Sequence, residues 1–122
     1  MTTDKIVPGV ESEMLVEVTK DLTVNRMGKP GADVLSTPSL LGLMENACID
    51  AVDHDLADGH TTVGYAVDRM RHMAPTAVGG SVRVTVVLTE VDRNRLTFEI
   101  EAFEGQKQIG SAIHKRAIVP IE

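Results

Sequence analysis

Glu45 is an acidic residue inside an apolar pattern. From Thr37 to Leu56 the sequence reads as an amphipathic helix. At ~100° per residue, Leu41, Met44, Cys48, Ile49, Val52 and Leu56 fall on one stripe. Glu45 lands within that stripe, roughly 40° from Leu41. Desolvating a carboxylate is costly, so a buried one is normally paired or used. The plainer reading is a Glu that snorkels from the stripe edge or pairs with an Arg to hold the fold. Thr37 begins the helix as its expected N-cap, with its hydroxyl at the positive end of the helix dipole. His72 closes the strand-like segment Thr62 to Met73. A Glu and a His together supply a base and an acid, or a base and an orienting group, near neutral pH. His54 and His60 flank the helix end and read as solvated.

The elements that must position these residues are few. Ser12 to Val18 alternates polar and apolar and predicts a first strand. Asn25 to Gly31 reads as a loop, with Gly28, Lys29, Pro30 and Gly31. Pro38 sits at the first helical position, and Gly59 is the expected C-terminal cap near Asp58. Thr62–Met73, Ser81–Val91, Arg95–Phe103 and Gln108–Val119 are rich in strand-forming residues. Gly79-Gly80, Asp92–Asn94 and Glu104-Gly105 form the turns between them. The expected architecture is α+β. A single domain over residues 1–122 has one long helix wrapped by a curved antiparallel sheet of about five strands, the last four as a meander. One helix leaves part of such a sheet uncovered, which is a reason to dimerise.

Composition sets the outer limits. The chain is 43% hydrophobic and 25% charged, ordinary for a globular domain. A net charge of −6 and only three aromatic residues (Tyr65, Phe98 and Phe103) argue against a nucleic-acid surface. Cys48 is the sole cysteine, so no intramolecular disulfide and no zinc-ligand pair can form, and a thiol on an apolar helix face reads as core. No apolar run is of membrane-spanning length, and the polar start Met1 to Lys5 does not read as a signal peptide. A reducing, cytoplasmic compartment is the expectation.

The segments TPSLLGLMENACIDAV (from Thr37), HMAPTAVGG (from His72) and GSAIHKRAIV (from Gly110) resemble the hotdog-fold thioesterases. More narrowly they are similar to the fluoroacetyl-CoA thioesterase branch, over about Val34 to Val119. The resemblance matches Thr37, Glu45 and His72 to that branch's catalytic positions. It implies a homodimer or higher oligomer with the active site at the subunit interface. It also implies an acyl-CoA substrate, with coenzyme A part of the substrate and no metal or redox cofactor. Glu45 would act as base for water or as direct nucleophile. His72 would position the acyl group and relay a proton, and Thr37 would hydrogen-bond Glu45 or the carbonyl. A backbone N–H near Gly64 and Tyr65 would serve the oxyanion. In the relatives the glycine stands seven residues before the histidine. Here Gly64 stands eight before His72, which requires a bulge, expected at Asp68–Arg71. Arg69, Arg71, His114, Lys115 and Arg116 are the candidate partners of the CoA phosphates, against a plainer role solvating strand faces. A hotdog hydratase or dehydratase and a non-catalytic acyl-CoA binding module are the alternatives.

Overall fold

A computed structural model describes residues 4–28 and 30–121. Met1–Thr3, Lys29 and Glu122, which belong to the expected polar start, loop and domain end, lie outside the described residues. The elements in chain order are β1 (Glu11–Glu17), α1 (Thr37–Val52), β2 (His60–His72), β3 (Ser81–Asp92), β4 (Arg95–Glu104) and β5 (Lys107–Pro120). Short 3₁₀ turns lie at Lys20–Leu22, Val24–Met27 and Asp53–Asp55. The strands form one antiparallel sheet in the order β1-β3-β4-β5-β2.

Period-two burial sets the two faces of this sheet. Val82, Val84, Val86 and Leu88 of β3 turn inward, as do Leu96, Phe98, Ile100 and Ala102 of β4. Burying side chains of this size contributes roughly 1.5–3 kcal/mol each for the larger ones. On β5 the inward positions are Gly110, Ala112, His114 and Arg116, so two basic residues follow the apolar parity into the core. Leu40, Met44, Cys48 and Val52 of α1 cover this face.

Three expectations are corrected. The last four strands are not a meander, because only β3-β4-β5 is one, and β2 pairs with β5 at the sheet edge. The β2–β3 connection is held elsewhere: Leu35 N–H donates to Thr76 O at 2.8 Å and Val78 N–H to Asp33 O at 3.1 Å, tying it to the chain entering the helix. The helix ends at Val52 rather than near Asp58, since Asp53, His54 and Asp55 offer no apolar face and the chain tightens into a 3₁₀ turn. Gly59, at φ +76°, serves the turn into β2 and not the helix cap. Finally, the buried stripe centres on Leu40, Leu43, Met44, Ala47 and Ala51, which leaves Leu41, Glu45 and Ile49 half-buried on its flank.

Candidate active site

Ser36, not Thr37, caps the helix: its Oγ accepts from Ser39 N–H at 3.2 Å. That frees the Thr37 hydroxyl at the first helical position. Thr37 Oγ1 meets His72 Nδ1 at 2.8 Å, joining the start of α1 to the end of β2. His72 reaches this point because its ladder partner is Gly110, over which Leu40 and Met44 lie. His72 Nε2 is buried without a hydrogen-bond partner among the described residues. Burial also lowers the His72 pKa below the ordinary imidazole value. A neutral ring oriented by a hydroxyl, with its second nitrogen uncommitted, can hold or pass a proton.

Glu45 lies elsewhere in the chain. It is not buried, for its side chain keeps 40% of its exposure, and its near neighbour is His114, whose Nε2 is 3.7 Å from Glu45 Oε2. Within one chain Glu45 thus makes no hydrogen bond with Thr37, the partner the resemblance implied for it, and none with His72. Two helical turns, ~12 Å of rise, separate residues 37 and 45. Beneath Glu45 lies a buried polar cluster. His114 Nδ1 is 2.9 Å from Ala66 O. Arg116 donates through Nε to Thr62 Oγ1 and through Nη2 to Thr62 O, both at 2.8 Å, and Nη1 is 3.2 Å from His114 Nε2. Gly64 runs directly over these two side chains.

The strand β2 reaches both clusters by breaking register twice. One extra residue lies between Gly64 and Ala66, and one between Asp68 and Arg71, where Arg69 takes φ +54°. The second bulge stands where the Gly–His spacing requires it. The first was not foreseen. It leaves Tyr65 without a partner across the ladder and stacks Arg95 over the Tyr65 ring at 5.2 Å. Together the bulges add two residues, which preserves parity and turns both Gly64 and His72 toward the helix.

The five candidate phosphate partners divide. Arg69 and Arg71 are exposed on the irregular part of β2, and Lys115 is half-buried with its side on the face away from the helix. His114 and Arg116 are only 1% and 5% exposed, and Arg116 is committed to Thr62 and His114, so neither meets a solvated diphosphate. The even-numbered run Gly110, Ala112, His114, Arg116 was the available signal that both point inward. Thr62 was missed altogether. Cys48 is core, as expected: burial pushes its thiol up to about 12, against the pull of Arg116 and with a smaller push from Glu45. Among the described residues no helix is long and apolar enough to cross a membrane.

A family model described as fluoroacetyl-CoA-specific thioesterase (FlK) matches residues 18–122. The fluoroacetyl-CoA thioesterase of Streptantibioticus cattleyicolor is 37% identical over 90 residues, which are 74% of this chain and 64% of that protein, just under two thirds of its length. A crystal structure of a point mutant of the fluoroacetyl-CoA-specific thioesterase, in complex with fluoroacetate and CoA, is 31% identical with a TM-score of 0.84. It covers 93% of this chain and 95% of that one. A hot-dog-like protein from Thermanaerovibrio acidaminovorans shares the fold at 24% identity and a TM-score of 0.87, over 98% of this chain and 89% of its own. The architecture is thus the expected hotdog: one helix wrapped by a five-stranded antiparallel sheet.

Proposed function

The chain belongs to the fluoroacetyl-CoA-specific thioesterase family, and we propose that it hydrolyses an acyl-coenzyme A thioester to a free acid and CoA. The observation that carries this reading is the Thr37 Oγ1–His72 Nδ1 contact of 2.8 Å, which orients an imidazole whose Nε2 is unspent. Thioester cleavage needs a base or nucleophile, an oxyanion donor and a proton for the leaving thiolate. In this proposal Glu45 removes a proton from water as the water oxygen attacks the acyl carbon. In the covalent variant the carboxylate attacks directly and water then cleaves the anhydride. The C–S bond breaks and the thiolate leaves as CoA. His72 positions the acyl group and relays the proton. A backbone N–H at Gly64 or Tyr65, beside the unpaired bulge, receives the oxyanion. Arg69, Arg71 and Lys115 are the cations left to meet CoA phosphates. Coenzyme A is part of the substrate, and the reaction so written uses no other cofactor.

The same proposal includes a homodimer. The free edge of β2 exposes Val63, Tyr65 and Val67, and the flank of α1 leaves Leu41 and Ile49 half-covered. A two-fold partner would cover both and set the Glu45 of one chain against the Thr37–His72 pair of the other, closing the gap of two helical turns. Cytoplasmic localisation also belongs to the proposal, in keeping with a chain whose one cysteine, Cys48, is free and buried in the core.

The test is release of free thiol from a panel of acyl-CoA esters, read with a thiol-reactive dye. Glu45→Gln keeps the fold and loses ~10²-fold or more in turnover. Near-normal turnover in that variant refutes the role. Mixing Glu45→Gln with His72→Ala chains under conditions of subunit exchange restores activity, since one site per hybrid dimer then has both groups intact. A hybrid as dead as its parents places both groups in one chain.

A further inference from the structure

We infer that His114 is a positioning residue whose Nε2 lone pair holds the Arg116 guanidinium off Glu45, so that the carboxylate stays close to a buried positive charge without being bonded to it. This rests on Glu45 being the base or nucleophile.

The hydrogen bonds define the ring. Ala66 O can only accept, so His114 Nδ1, at 2.9 Å, carries the proton. In the neutral imidazole Nε2 is then a lone pair, and the Arg116 Nη1 at 3.2 Å can only donate to it. The remaining Arg116 contacts go to Thr62 Oγ1 and Thr62 O, each at 2.8 Å. Three directions of the guanidinium are thereby fixed, and among the described residues no carboxylate lies within ion-pair distance of it. Glu45 Oε2 stands 3.7 Å from that same Nε2. Two acceptors face each other there, so a neutral His114 makes neither an ion pair nor a hydrogen bond with Glu45.

The surroundings of the ring favour its neutral form, chiefly through burial. Glu45 faces it from α1, Arg116 from its own strand and the Ala66 carbonyl from β2, while its partner on β4 is Phe98. Burial dominates and lowers the His114 pKa, with Arg116 adding to it. The Ala66 carbonyl and Glu45 oppose it without prevailing. The design follows from competing demands on Glu45. A direct fork of Arg116 onto the carboxylate would spend its lone pairs and weaken it as base or nucleophile. A guanidinium pinned on Thr62 and His114 leaves those lone pairs free.

Replacing His114 therefore releases Arg116 Nη1 toward Glu45, while Nε and Nη2 stay on Thr62. His114→Leu is expected to move the acid limb of the kcat/KM profile down by about one pH unit or more. It also lowers kcat about tenfold or more with KM little changed. His114→Gln puts an amide oxygen near the position of Nε2, and it restores both the limb and kcat. A folded His114→Leu whose acid limb does not move overturns the proposal, as does a Gln variant that behaves like Leu. If neither variant folds, ¹⁵N NMR of the wild-type ring decides. A neutral Nδ1–H tautomer at pH 7 supports the assignment, whereas an Nε2–H tautomer or an imidazolium overturns it. That readout is independent of turnover, so a fully active Glu45→Gln sinks the catalytic reading of Glu45 by a separate measurement.

Discussion

Gly64 approaches His114 so closely that β2 can carry no side chain there: a Cβ would stand 2.9 Å from His114 Cε1 and 3.1 Å from Arg116 Nη1. Both neighbours are buried and hydrogen-bonded, so neither can yield freely. Gly64→Ala should cost about 1–3 kcal/mol by urea unfolding, as overpacking does, and it should lower activity as well. Gly42, on α1 with open space around its missing Cβ, is the control. Gly42→Ala should stabilise by about 0.5–1 kcal/mol. Equal effects at the two sites would show that the contact at residue 64 carries no strain.

Thr37 and His72 should act as a unit. Thr37→Val removes the hydroxyl that orients the ring, and His72→Gln removes the ring itself. In a double-mutant cycle on kcat/KM the pair should show a coupling of about 0.5–3 kcal/mol. Simple additivity would mean that the 2.8 Å contact does not serve the chemistry.

Stability should fall on mild acidification. Burial holds both His72 and His114 below the ordinary imidazole pKa. As pH drops below about 6.5, the unfolded chain protonates first and binds more protons than the native one. Stability is complete above that value and is lost as pH falls through the lower native values. The melting temperature should therefore decline from pH 7 toward pH 5, and His114→Gln should flatten part of that slope. A melting temperature constant over this window would contradict the burial of both rings.

Substrate choice is the last expectation. The stretch Asn25 to Leu35, which precedes the helix, holds Gly28, Pro30 and Gly31 and no aromatic residue. A pocket that reads a single fluorine needs bulky apolar walls that exclude water. The protein should hydrolyse fluoroacetyl-CoA no better than comparable short acyl esters. The ratio of kcat/KM for fluoroacetyl-CoA over acetyl-CoA measures this. A ratio above ~10⁴, more than 5 kcal/mol of discrimination, would show that the walls are built from other elements.

Local patterns made most of the fold legible. The strand limits follow alternation and turn residues closely: Ser81–Val91 was expected and Ser81–Asp92 is found, Arg95–Phe103 was expected and Arg95–Glu104 is found. Pairing across the sheet was less legible, because nothing in residues 73–80 announces that the connection crosses to the far side of β5. The helix stripe was misplaced because Leu40, Leu43 and Ala47 are apolar too. A helix with apolar residues over so wide an arc does not identify its own centre. The inward turn of His114 and Arg116 was encoded in their parity with Ala112, but a basic triplet reads first as surface. The cap is Ser36 rather than its neighbour Thr37: both are cap-forming types, Ser the better, and the Thr37 hydroxyl goes to His72 instead.

The two bulges of β2 have a consequence for self-association. Every open sheet ends in two rows of unsatisfied backbone groups, each a template for further strands. At one end, β1 sets the exposed charges of Glu11, Glu13 and Glu17 along its length. At the other, β2 is bent out of register at Tyr65 and again at Arg69–Met70. An incoming strand finds a straight ladder there only over short runs. Both edges are thus poor templates for repeated strand addition, although β1 also exposes Leu15 between its glutamates.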